Sequence, residues 1–224
     1  MCQIDIMSDL KQRRAEEKEQ RRETLIDAAE RVFANAGFDA ATMEEVARVA
    51  RVSRALVYLY FKNKDELHCA VCERALRLLH ERFLSAAASA GRGYDKVVAL
   101  GRAYMAFAEE FPCYFMALSR FEARAPETVV EGSLEHHLID CGRAVHQVTV
   151  DCLLHGVRDG SIRVDLEDPL LAALSLWAFT HGLIQLMHSK KHFFSQVGIS
   201  TARFAEYAID FAMRGLHPRA AKSA

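Results

Sequence analysis

The chain has 224 residues, 51% of them hydrophobic, with four prolines and a formal net charge of -1 at pH 7. That length and composition support a full core with room for a small module and a larger domain. They exclude a protein that coats polyanions over its whole surface, which would be basic throughout. No uninterrupted apolar run of about 18 residues marks a membrane span, and residues 1–22 lack an apolar stretch of signal-peptide length, so a cytoplasmic location is expected.

Residues 11–22 carry six basic and three acidic side chains. Interleaved signs suit a solvated helical extension; the alternative is an arm that reaches a neighbouring minor groove. Leu25, Ala28, Ala29, Val32 and Phe33 then recur at helical spacing. Asn35-Ala36-Gly37, followed by Phe38, closes this first helix with a left-handed glycine cap. Thr42 with Glu45 forms a capping box for a second helix, continued by Val46, Ala47, Val49 and Ala50. After a turn at Arg51 and Val52, Ser53 caps a third helix, Arg54 to Phe61, and Asn63 with Glu66 opens a fourth. Helix, tight turn and helix is the arrangement that places its second helix in a major groove.

Charge agrees locally. From Arg48 through Lys64 there are five basic residues (Arg48, Arg51, Arg54, Lys62, Lys64) and no acidic one. A patch confined to one place neutralises phosphates at one footprint.

The segment VARVARVSRALVYLYFKNKDEL resembles the DNA-binding signature of TetR-family transcriptional regulators, of the form I-A-x-x-A-G-V-S-x-G-x-x-Y-x-Y-F-x-x-K-x-x-L. Val46, Ala47, Ala50, Val52, Ser53, Tyr58, Tyr60, Phe61, Lys64 and Leu67 fall on matching positions, and LIDAAERVFANAGFDAATMEEVA upstream is similar to the family's first helix and the start of its second. The chain departs from the pattern at Arg51 and Ala55, where glycine is usual or frequent. A positive φ at Arg51 would cost roughly 1 kcal/mol; Ala55 favours helix.

The resemblance implies an all-α protein with an N-terminal three-helix helix-turn-helix domain and a C-terminal helical ligand-binding and dimerisation domain. We divide it as an arm (1–20), a DNA-binding domain (21–70) and an effector and dimer domain (71–224). Thr42, Arg51, Ser53, Arg54, Ala55, Leu56, Tyr58, Leu59, Tyr60 and Lys64 are the expected DNA-facing residues. Arg54 alone among those of the reading helix can reach guanine bidentately, and Ala55 and Leu56 suit thymine methyls. Thr42, Tyr60 and Lys64 suit phosphates, and Arg51 can add one.

Further along, a long helix runs from past Asn63 to about Ala88 with Leu67, Val71, Ala75, Leu78, Leu79 and Phe83 on its buried side. The remainder reads as helices over about 94–110, 112–124, 127–158, 168–189 and 200–215, punctuated by Pro112, Pro126, Asp159-Gly160 and the cap Asp168-Pro169. Fraying is expected from His217 onward. The helix of Leu170 to Met187 is apolar nearly all round, so more than one of its faces needs cover. With Leu174, Phe204, Tyr207 and Phe211 it resembles the family's dimer interface. Tyr104, Phe107, Phe111, Phe115, Met116 and Trp177, with His137, Cys141 and His181 as polar handles, are the candidate lining of an effector pocket.

Six cysteines without a paired metal motif read as reduced thiols; Cys69 and Cys72 share a helical face but lack further ligands in sequence. No catalytic or cofactor fingerprint is present, so neither an enzyme nor a cofactor is expected. The expected partners are double-stranded operator DNA, a small-molecule effector and a second copy of the chain, with no membrane. The alternative is a helical small-molecule-binding or adaptor protein without DNA binding.

Overall fold

The computed structural model describes residues 3–124, 128–166 and 168–218, with side chains described from residue 11 onward. Every regular element among the described residues is helical: α1 (Gln3–Ala40), α2 (Met43–Ala50), α3 (Arg54–Tyr60), α4 (Lys64–Ala88), α5 (Gly93–Glu110), α6 (Pro112–Ala123), α7 (Leu134–Arg158), α8 (Pro169–Ser189), α9 (Lys191–Gln196) and α10 (Thr201–Arg214). They form two compact units, Met1–Arg74 with Pro112–His136, and Ala75–Phe111 with His137–Ala224. The boundary expected at residue 70 falls within α4, along which the first unit runs to Arg74; that unit also takes α6.

In the first unit, α1 is broken at Gly37 (φ 73°, ψ 162°), a backbone shape that a side chain would strain. The core beneath the short helices joins Leu25, Ile26, Ala29, Val32 and Phe33 of α1 to Val46, Val57, Phe61, Leu67 and Val71, all buried; Val49 is only half-buried. Residues 11–20 are helical and exposed, as an extension of α1. From α4, Arg74 reaches three carboxylates of α1, those of Glu23, Asp27 (2.7 Å) and Glu30 (2.6 Å), and the Tyr114 hydroxyl of α6 donates to Glu30 at 2.8 Å. One guanidinium therefore ties α1 to α4 and, through Glu30, to α6.

In the second unit, α5 begins on a foreign cap. The backbone N–H groups of Gly93 and Tyr94 donate to Asp159 Oδ2 (2.8 Å) and Ser161 Oγ (3.0 Å), satisfying two orphan donors of the first turn. Its hydrogen bonds with Ser161 and Gly93 hold the Asp159 carboxyl down at about 2. The α8 cap is as expected, with Asp168 accepting from Leu170 N at 2.8 Å and Pro169 opening the helix.

The structure differs from the expectations at three places. The helix expected from residue 127 starts at Leu134, because Gly132 takes a positive φ and the Ser133 hydroxyl caps the helix by accepting from His136 N. Pro126 and residue 127 lie outside the described residues. The short helix α9, which the sequence reading missed, lies between the two expected last helices. At the start of the tail expected to fray, the His217 ring stacks on Tyr94 with centroids 4.7 Å apart and the adjoining Leu216 is buried; residues 219–224 of that tail lie outside the described residues.

Candidate nucleic-acid interface

The reading module is locked at each junction. Thr42 Oγ1 accepts from Glu45 N (3.2 Å) while Glu45 Oε2 accepts from Thr42 N (3.1 Å), so the capping box of α2 is complete. Arg51 follows α2 with φ 57° and ψ 42°, the only positive φ among the described residues other than glycine. The turn that the signature gives to glycine is thus left-handed here, held by Val52 N donating to Ala47 O at 3.0 Å. Ser53 Oγ accepts from Leu56 N at 3.2 Å and starts α3. Asn63 Oδ1 accepts from Glu66 N at 2.8 Å, so this pair opens α4 as expected, and the Glu66 carboxylate turns back to Lys62 N, one residue before Asn63.

These locks bury Val57 and turn four of the seven residues of α3 outward. Arg54, Ala55, Tyr58 and Leu59 are exposed, the last at 76%, while Leu56 and Tyr60 are half-buried. Arg51 and Arg48 are exposed beside them, and among the described residues neither pairs with a carboxylate. Arg54 is already engaged: Nη1 lies 2.5 Å from Glu44 Oε1, Nη2 is 3.4 Å from the Tyr58 hydroxyl, and the guanidinium sits 5.3 Å from the Tyr58 ring centroid.

Lys64 has a different place from the one sequence suggested. Its ammonium donates to the carbonyls of Phe38 (2.7 Å), Asp39 (3.1 Å) and Ala41 (2.8 Å) and lies 4.5 Å from the Phe38 ring centroid. An ammonium has three N–H donors; with all three on carbonyls, Lys64 clamps the α1–α2 corner and has none left for a phosphate.

The candidate effector residues separate. Tyr104, Phe107, Phe111, His137, Cys141, Trp177 and His181 belong to the second unit, and Phe115 and Met116 to the first. In the second unit Tyr104 and Phe107 are buried, the Tyr104 hydroxyl is 2.8 Å from His181 Nδ1, and Trp177 lies 5.7 Å from His181 and 5.3 Å from His146, a neighbour the sequence reading missed. Burial pushes both imidazoles below their ordinary range, so both are neutral near pH 7. His137 is exposed, with Cys141 Sγ at 3.7 Å. In the first unit Phe115 is buried and Met116 is 60% exposed.

On the second unit, Ala178, Phe179, Gly182, Leu183 and Leu186 of α8 and Phe204, Tyr207, Ala208 and Phe211 of α10 line an open apolar groove of about 460 Å³. Tyr207 and Phe211 stand out of it, exposed at 65% and 61%, whereas Leu174 and Phe204 are half-buried. By length and composition alone α8 is long and apolar enough to cross a bilayer; within its unit it packs on α5, α9 and α10.

In the first unit His68 is buried between Phe33 and Phe38 with Cys72 Sγ 3.8 Å from its Nε2. Burial raises the thiols of Cys69 and Cys113 to about 11 and that of Cys72 further still, so all three stay protonated and unreactive at neutral pH.

Residues 25–71 match the family model of bacterial regulatory proteins of the tetR family, and residues 97–212 match that of the tetracyclin repressor-like C-terminal domain. The chain is 27% identical over 185 residues to the HTH-type transcriptional regulator TtgR of Pseudomonas putida, covering 77% of this chain and 82% of that protein. It is 40% identical over 82 residues to the HTH-type transcriptional regulator BetI of Rhizobium meliloti, which is 37% of this chain and only 40% of that relative. Its fold is similar to that of the transcriptional regulator FadR from Bacillus subtilis in complex with stearoyl-CoA, with a TM-score of 0.69 at 18% identity, over 87% of this chain and 98% of that one.

Proposed function

The chain belongs to the tetR family of bacterial regulatory proteins, and we propose that it is a cytoplasmic, homodimeric regulator that binds a palindromic operator and leaves it when a small, hydrophobic effector binds. The observation that carries this is α3. It is capped, fixed to α2 by a left-handed turn, and presents Arg54, Ala55, Tyr58 and Leu59 outward in a chain without net basicity. Those side chains build none of the core beneath α3, and its neighbours Arg48 and Arg51, which among the described residues have no carboxylate partner, offer their charge to phosphates. An adaptor without DNA binding would have no use for that arrangement.

Thr42, Arg51, Ser53, Arg54, Ala55, Leu56, Tyr58, Leu59 and Tyr60 form the proposed DNA face, within residues 21–70. The arm of residues 1–20, helical from Gln3, is too wide as a helix to enter a minor groove about 6 Å across; the reading we favour for it is a solvated extension.

Residues 71–224 carry the effector and dimer functions. Neutral His146 and His181, the Tyr104 hydroxyl and surrounding rings support an effector that is largely apolar, with one hydrogen-bonding group. FadR was solved with stearoyl-CoA, which supports a long apolar ligand in this fold. The groove of α8 and α10 supports a second copy as the cover for the exposed face of α8, in place of lipid.

Selection of duplexes from a random library, followed by gel shift on the enriched sequence and on DNA flanking its own gene, tests this reading. Enrichment of an inverted repeat is expected. A protein that enriches nothing is not a sequence-specific regulator.

A further inference from the structure

On the DNA-reading function just proposed, the three-way contact of Glu44, Arg54 and Tyr58 bears further. We infer that Glu44 is a positioning residue that converts Arg54 from a phosphate-seeking cation into a base reader.

The geometry comes from two elements. Glu44 stands in the first turn of α2, directly before the box residue Glu45, which already satisfies the Thr42 backbone N–H. Glu44 is therefore not needed to complete the cap. Its carboxylate instead crosses to α3 and takes Arg54 Nη1 at 2.5 Å. One turn along α3, Tyr58 lies under the guanidinium, 5.3 Å from ring centroid to Cζ, with its hydroxyl 3.4 Å from Nη2. One side of the guanidinium is held by a carboxylate and one face by a ring, so its plane is fixed before DNA arrives.

The fold does not need this pair. Its side chains are 61% and 52% exposed, and ion pairs so exposed contribute little to stability. Its effect is on charge and orientation. An isolated arginine near a duplex is drawn to any phosphate, irrespective of sequence. Arg54 beside Glu44 has its charge largely cancelled nearby, yet keeps N–H donors that neither Glu44 nor Tyr58 occupies; a guanidinium has five. Such donors gain little from a phosphate and still recognise the two acceptors of guanine in the major groove. Arg48 and Arg51, which among the described residues have no carboxylate partner, are left to neutralise phosphates. The basic surface thus divides its labour: two unpaired arginines for affinity and one paired arginine for discrimination.

The test is E44Q, which keeps the size and removes the charge at an exposed position. Two probes are used, a duplex enriched by the wild-type protein from a random library and a scrambled duplex of equal length. Binding of each is measured from 50 to 200 mM salt. In E44Q, the freed Arg54 is expected to bind the scrambled duplex severalfold more tightly. Its log affinity against log salt should steepen by about 0.9, one added phosphate contact. The ratio of enriched to scrambled affinity should fall about fivefold or more. In an Arg54→Ala background, E44Q should leave that ratio unchanged, because no guanidinium remains to be positioned. An unchanged ratio in E44Q alone, or an equal fall of the ratio in both backgrounds, overturns the inference. Failure of the wild-type protein to enrich any duplex is a different outcome: it removes the DNA-reading function, and this inference with it.

Discussion

Gly93 and Gly156 pack backbone against backbone at the crossing of α5 and α7. A Cβ on Gly93 would overlap the backbone nitrogen and Cα of Gly156 and stand 2.8 Å from the Cys152 carbonyl oxygen. None of those atoms can move without moving α7. Gly93→Ala is therefore expected to destabilise the second unit by about 2–4 kcal/mol, at the upper end for overpacking because the obstacle is backbone. The separation would also pull Gly93 N from Asp159 and Tyr94 N from Ser161. Urea unfolding checks this, and a midpoint shift below that of a half-buried control such as Gly101→Ala, where a Cβ meets nothing within 4 Å, would contradict it.

His68 makes the first unit sensitive to acid. Burial, with Arg120 adding to it and Asp65 opposing, holds the imidazole at about 4 against roughly 6.5 when unfolded. A depressed folded value means that the unfolded chain takes the proton first. The stability is therefore whole above pH 6.5 and is lost as pH falls from 6.5 towards 4, by up to about 3 kcal/mol. His68→Met, of similar volume and without a charge to gain, is expected to flatten that part of the stability profile. Parallel wild-type and variant curves between pH 7 and 4 would show that His68 does not titrate as buried.

Arg51 holds a conformation that glycine takes at little cost. Replacing it with glycine relieves a left-handed strain of roughly 1–2 kcal/mol, partly offset by the larger entropy of unfolded glycine, so a net gain of about 0.5–1 kcal/mol is expected. The same change removes from the reading surface a cation that among the described residues has no carboxylate partner. Arg51→Gly should thus melt higher yet bind DNA more weakly, with the salt slope reduced by about 0.9. Arg51→Lys should keep the slope and the strain. Equal salt slopes for the wild type and Arg51→Gly would place Arg51 away from phosphate.

Those residues also mark how far the sequence was legible. Local signals carried well: the capping box, the Ser53 and Asp168 caps, the glycine break in α1 and the strain at Arg51 all involve residues within four positions of one another, and the structure has each of them. Long-range use of a side chain did not carry. Lys64 sits on a family motif position and reads as a phosphate ligand, but its three acceptors come from residues 38, 39 and 41, which no helical period connects to it. Glu44 was passed over for the same reason, since its partner lies ten residues on, across a turn. Met116 reads as pocket lining by its apolar character alone, and hydrophobicity does not say which side of α6 faces out. Nothing periodic announces α9, whose six residues are too few to fix a period.

The exposed rings of α10 carry the last expectation. Tyr207 and Phe211 lie one turn apart with ring centroids 6.5 Å from each other, both over half exposed, beside the small residues Ala178 and Gly182 of α8. Small residues let a facing helix approach closely, and two such helix pairs make a four-helix contact about a twofold axis. If that contact forms, a charge placed at its centre has no partner. Phe211→Glu should weaken dimerisation by about a hundredfold or more, the cost of an unpaired buried charge being roughly 3–5 kcal/mol. Because Phe211 is exposed in the single chain, the variant should remain folded, with unchanged helical circular dichroism. Reading heads on one dimer enter successive major grooves about 34–36 Å apart, so the monomeric variant should also lose the affinity of an inverted repeat and bind it no better than one half-site. Sedimentation equilibrium and gel shift on whole and half sites read the two effects together. A wild-type protein that sediments as a monomer at micromolar concentration, or a Phe211→Glu protein that dimerises as the wild type does, would move the interface off α8 and α10.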